Sequence, residues 1–169
     1  MTLTKISDSR GFTLIELLVA IAIMAVTLGI GLPSLQSAIA SSRITATVND
    51  MAVALQVARS TSIAQVRVAG VDIATDGSSW VAFLNSSTFT GTPPPGTLLQ
   101  TFTAATNVTL DASDWTPVYN PDGRLRSTVP ITIDFAIAGS PAKRLTVQLS
   151  GRVSTCNLPV GTDPGQCTT

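Results

Sequence analysis

The sequence predicts an α+β protein, with one long N-terminal helix followed by an antiparallel β domain. Three observations predict it: an apolar run near the N-terminus, a helical apolar stripe that continues it, and period-two alternation from there on. The 169 residues leave room for one ordinary domain plus an appendage. Ten Lys+Arg balance ten Asp+Glu, so the chain as a whole has no electrostatic pull toward nucleic acid or a membrane surface.

Residues 1–11 are short and polar, with Lys5 and Arg10 as a basic flank. From Phe12 to Leu32 only Thr13, Glu16 and Thr27 are notably polar. As a helix this run measures about 30 Å, the thickness of a bilayer core, so residues 12–33 are expected to span a membrane. Positive charge ahead of the span predicts a cytoplasmic N-terminus and an exported C-terminal body. Glu16 stands out, because a carboxylate in hydrocarbon costs roughly 2.5–3.5 kcal/mol on insertion scales and needs a partner. A different class of reading is an ordinary anchor or a secretory signal, with Ala38-Ile39-Ala40 as the cleavage site ahead of a binding module. The run exceeds the apolar length of about 7–15 residues usual for such a signal. Neither reading gives Glu16 a purpose.

Beyond Pro33 the helical pattern persists. Ile44, Val48, Met51, Leu55 and Ala58 form a core-facing stripe, while Arg43, Thr47, Asp50, Gln56 and Arg59 suit a solvated face. This predicts one helix from about Phe12 to Gln65, with residues 34–65 as its amphipathic second half. Pro33, preceded by Gly29 and Gly31, removes a helix hydrogen bond and is expected to kink it.

Residues 66–169 read as a globular β domain. Candidate strands are Val66–Ile73, Trp80–Leu84, Leu98–Phe102, Asn107–Leu110 and Pro117–Tyr119. Residues 91–96, Gly-Thr-Pro-Pro-Pro-Gly, read as a rigid surface loop. In Pro130–Ala138, Ile131, Ile133, Phe135 and Ile137 alternate with polar or small residues. After Gly139-Ser140-Pro141, Leu145, Val147 and Leu149 alternate on the way back, giving a hairpin with one buried face. Cys156 and Cys167, among prolines and glycines, read in an exported chain as a disulfide closing a C-terminal loop, worth about 2–3 kcal/mol.

Histidine is absent from the sequence, which excludes Ser-His and Cys-His catalysis and His-ligated metals. Two thiols do not make a four-ligand zinc site. Asp111 and Asp114 lack an oxygen-rich cage and read as turn and strand-edge residues. No enzyme, cofactor or metal is expected.

The string Gly11-Phe12-Thr13-Leu14-Ile15-Glu16-Leu17-Leu18, after a short basic leader, resembles the signal of type IV prepilins and type II secretion pseudopilins. The resemblance implies that residues 1–11 are a leader cut by a prepilin peptidase between Gly11 and Phe12. The new Phe12 amine would then be N-methylated and the helix retained. It also supplies a partner for Glu16, the N-terminal ammonium of Phe12 on a neighbouring subunit, which makes the pair an assembly device. Leu55–Ser60, Asp76–Phe83, Tyr119–Arg124 and Arg144–Val153 are similar, in order, to segments of the GspH/FimT family of minor pilins and pseudopilins.

That resemblance implies a pilin-like fold and other pilin or pseudopilin subunits as partners. It implies a single-pass inner-membrane protein with a periplasmic body, extracellular once in a filament. The function implied is a minor type IV pilin acting in pilus assembly or priming; an H-type pseudopilin of type II secretion is the alternative. Some members are linked to uptake of double-stranded DNA in transformation through a C-terminal G-R-x-R motif. Here Arg124, Arg126, Lys143, Arg144 and Arg152 face a single acid, Asp134, in residues 124–152, a candidate basic patch for DNA. The motif itself departs from the family, reading Gly151-Arg152-Val153-Ser154 with serine in place of the second arginine.

Overall fold

A computed structural model describes residues 12–84 and 97–158, without the side chains of residues 29–34. The leader with Gly11, the Pro-rich loop at 91–96 and Cys167 therefore lie outside the described residues. The chain divides into two compact units, one ending at Ala38 and one beginning at Ile39.

Helix α1 spans Leu14–Gln65 and runs through both units. Thr13 caps it: the Glu16 amide donates to Thr13 Oγ1 at 3.3 Å and to the Thr13 carbonyl at 3.1 Å. Thr-x-x-Glu is capping-box spacing, and a carboxylate in the first turn also complements the helix dipole. In the N-terminal unit the described apolar side chains are exposed all round, from Phe12 at 83% to Leu28 at 58%. The Thr27 hydroxyl donates back to the Ile23 and Met24 carbonyls, so it needs no outside partner. Among the described residues no helix is long and apolar enough to cross a membrane. Helix α1 continues through the position of Pro33.

In the second unit the rest of α1 meets eight strands among the described residues. Strands β1 Ala69–Ile73, β2 Ser79–Leu84, β3 Thr97–Thr103 and β5 Val118–Tyr119 form one sheet, in the order β3-β2-β1-β5. Strands β4 Thr109–Ala112, β6 Ile131–Ala136, β7 Ala142–Val147 and β8 Val153–Leu158 form the other, in the order β4-β6-β7-β8. All pairings are antiparallel. The antiparallel β domain is thus built of two sheets, with β4 outside the first sheet and β5 returning to it. The core joins Ile44, Met51 and Leu55 of α1 to Trp80 and Tyr119 of one sheet and Ile133, Phe135 and Leu145 of the other. The stripe predicted on α1 is buried as expected, Ala58 included.

Four local readings are corrected. Thr47, expected in solvent, is 1% exposed; its Oγ1 accepts the Ala105 amide at 3.2 Å and donates to the Arg43 carbonyl. Val66 and Arg67 are not strand but the helix cap: the Arg67 amide donates to the Ser62 carbonyl at 3.1 Å, and Val66 takes φ 52°. Leu149 leaves the alternating face at 37% exposed, because β7 ends at Val147 and a turn follows. Residues 153–158, not among the candidate strands, form edge strand β8, paired with β7 from Val147↔Val153 to Ala142↔Leu158.

Candidate functional site

The first candidate is the start of α1. Phe12 is exposed and Glu16 lies one turn into the helix. Among the described residues the Glu16 carboxylate has no hydrogen bond and no ion pair. Its amide serves the cap, which leaves the charge itself open to an outside partner.

The second candidate centres on Arg59, which sequence reasoning placed on a solvated face. Half-buried, it donates from Nε to the Gly123 carbonyl at 2.9 Å and from Nη2 to the Ser150 carbonyl at 3.2 Å. Two turns are thereby fixed to α1. One closes with the Gly123 amide on the Asn120 carbonyl at 2.8 Å, the other with the Gly151 amide on the Gln148 carbonyl at 2.8 Å. The Leu125 amide joins them by donating to the Leu149 carbonyl at 3.1 Å. Gly151 has φ 79°, and a Cβ there would strike the Gly123 carbonyl and lie 2.7 Å from Arg59 Nε, so only glycine fits. Three of the segments singled out in the sequence, at 55–60, 119–124 and 144–153, thus meet at one guanidinium. The signal for Arg59 was its place in the first of them.

Tyr119, at the start of the first turn, is buried, and its hydroxyl has no hydrogen-bond partner among the described residues. Burial raises its pKa well above the ordinary tyrosine value, and the Arg59 charge offsets part of this.

The five basic residues do not gather into one patch. Arg124 and Arg126 are exposed beside the first turn, and Arg152 is exposed at the second. The bonds that join the turns bring these three to the same end of the domain. Lys143 pairs with Asn157 and lies four residues along β7 from Val147, roughly 13 Å away at about 3.3 Å per residue. Arg144 is its neighbour on β7 and so faces the opposite side of the sheet. It is held by Asp134 on β6, with Nε to Oδ1 and Nη2 to Oδ2 both at 2.6 Å. The hydrogen bond to Asp134 raises the Arg144 pKa further. Cys156, on β8, is disulfide-bonded.

A groove of about 370 Å³ opens beside Arg59, lined by Gln56, Arg59, Ser60, Ile63, Gly151, Arg152 and Val153. Among the described residues no cluster of His, Cys, Asp or Glu could hold a metal.

Residues 6–32 match the model of the prokaryotic N-terminal methylation motif, and residues 47–151 match that of type II transport protein GspH. The fold is similar to the type IV minor pilin FimU of Pseudomonas aeruginosa in two crystal forms. The first has TM-score 0.57 at 17% identity over 76% of this chain and 97% of that one; the second has 0.55 at 18% over 73% and 99%. It is also similar to the minor pseudopilin EpsH of the Vibrio cholerae type 2 secretion system, with TM-score 0.50 at 14% identity over 73% and 99%. A search of curated proteins gives no match. With a methylation motif ahead of a GspH region that covers more than half of its length, the chain belongs to the GspH/FimT-like family of type IV pilin and pseudopilin subunits.

Proposed function

We propose that this subunit is a minor pilin, built in low copy into a type IV pilus or the complex that primes it. Subunits of this family are structural rather than enzymatic and associate with other pilin subunits. The observation that carries the reading is Glu16: a carboxylate in the first turn of an exposed apolar helix, without a partner among the described residues of its own chain. A prepilin peptidase cuts between Gly11 and Phe12, and the freed Phe12 amine of a neighbour neutralises Glu16 in the filament core. Before assembly the helix from Phe12 to Pro33 anchors the chain in the inner membrane, with the β domain in the periplasm. A Cys156–Cys167 disulfide closes the C-terminal end.

The test is Glu16→Ala, with the mature protein analysed by mass spectrometry. The expected mature chain begins at Phe12 and carries one extra methyl group. The variant should be processed and inserted normally yet be missing from sheared pili. Normal incorporation, or a mature start at Ser41, overturns the reading. Incorporation into a secretion pseudopilus instead would assign the H-type role.

Arg124, Arg126 and Arg152, exposed on adjoining turns, favour a second reading, weak DNA contact through phosphates. Neutralising these three should flatten the salt dependence of binding to a DNA duplex, whereas Arg144→Gln should not. Equal slopes for all variants would remove this reading.

A further inference from the structure

We propose that the groove between α1 and the β7–β8 turn receives an acidic side chain from a neighbouring filament subunit. The identity of this guest rests on the filament reading above. Three observations support it. Arg59 is half-buried with no carboxylate partner among the described residues, an arrangement that leaves a charge poorly compensated. A guanidinium carries five N–H donors; Arg59 engages two of them on backbone carbonyls, so three are left. The groove beside it is also lined by Arg152 and Gln56, with Ile63 and Val153 as apolar walls and no acidic residue among the described residues.

The chemistry of this lining fits a carboxylate on a short aliphatic stem. A guanidinium offers two parallel N–H groups that match the two oxygens of a carboxylate. Ile63 and Val153 suit the methylenes of glutamate. Arg59 is fixed by Gly123 and Ser150, so it cannot swing outward to follow a phosphate backbone. A guest must enter the groove to reach it. A peptide side chain does this, whereas duplex DNA accepts projecting helices or ribbons into its own grooves.

The test uses the full-length chain in detergent and an N-acetylated, C-amidated glutamate-rich peptide, so that only side-chain carboxylates are present. Its glutamine analogue and a DNA duplex serve as the other probes. The glutamate peptide is expected to bind saturably and the glutamine analogue not to bind. Arg152→Gln should weaken binding about tenfold, the loss of one charge-assisted contact. Ser60→Trp, at an exposed helix position on the groove wall, should abolish it. Thermal melts establish that each variant is folded. Should Ser60→Trp fail to fold, Arg152→Gln and the glutamine analogue decide the matter alone.

Peptide binding unchanged by these substitutions overturns the proposal. So does duplex DNA displacing the peptide and itself being lost on Ser60→Trp. Glu16→Ala entering pili while peptide binding persists sinks the assembly reading and keeps the groove. Absent peptide binding with Glu16-dependent assembly sinks the groove alone.

Discussion

Arg59 Nε lies 2.9 Å from the carbonyl oxygen of Gly123, sixty-four positions further along the chain. Together with the bond to Ser150, this ties the end of α1 to two glycine turns and positions the groove, Arg124 and Arg152 around one charge. The arrangement depends on Gly151. Gly151→Ala places a methyl group against the Gly123 carbonyl at φ 79°, so backbone must shift. Gly139, with the same φ and open space around it, is the control. Gly139→Ala should lose about 1 kcal/mol from backbone strain alone. Gly151→Ala should lose roughly 3 kcal/mol or more, as both Arg59 bonds are disturbed. Equal melting temperatures for the two variants would mean that the turns are not held as described.

The helix cap leads to a stabilising substitution. Val66 takes φ 52° and is 72% exposed, and its neighbours make the bonds of a glycine-type helix terminus. A β-branched residue in this region carries a strain of about 1–2 kcal/mol. Val66→Gly relieves it and loses part of the gain to the entropy of the unfolded chain. The net expectation is up to about 1 kcal/mol of stabilisation, a rise in melting temperature of roughly 2–4 °C. A fall in melting temperature would show that the valine side chain is holding a contact.

What could be read in the sequence follows the physics of each element. The β6–β7 hairpin was legible because Ile131, Ile133 and Phe135 alternate strictly and face one core. The end of α1 was legible because its stripe stops where the pattern changes. Division into two sheets was not, because β5 is two residues long and pairs with β1 across the intervening strands β2, β3 and β4. Strand β8 was hidden because Val-Ser-Thr-Cys-Asn-Leu is a half-solvated edge with weak alternation. Thr47 and Arg59 were misplaced for one reason: periodicity assigns a face but does not show which polar residues at its border find backbone partners. Glu16 and Phe12 were legible from their motif, and the basic residues from composition alone. Composition carries no geometry, which is why Lys143 and Arg144 were grouped with Arg124, Arg126 and Arg152.

The Arg144–Asp134 pair is a cross-strand clamp, and its two side chains are 14% and 29% exposed. A bidentate geometry with partial burial places it above an ordinary surface pair. Arg144→Gln should lower stability by roughly 1–2 kcal/mol. The double variant with Asp134→Asn should lose less than the sum of the two single changes. Additive losses in this cycle would show that the two side chains do not interact in solution.

Tyr119 is the sole tyrosine of the chain, so phenolate absorbance reports on it alone. Burial raises the pKa of its phenol in the folded protein, while the unfolded chain ionises near pH 10. Above about pH 10 the unfolded state therefore binds fewer protons than the folded one, and stability falls as pH rises. Below that pH the contribution is fully present. Tyr119→Phe removes this titration together with a buried hydroxyl that lacks a partner among the described residues. The variant should match or exceed the parent melting temperature at pH 7, since an unpaired buried hydroxyl costs about 1–3 kcal/mol. Its melting temperature should also decline less between about pH 9.5 and 11.5. In the folded parent the phenolate signal should appear only at a pH above the usual tyrosine range. An ordinary titration, or an alkaline decline identical in parent and variant, would show that the Tyr119 hydroxyl is not buried beside Arg59.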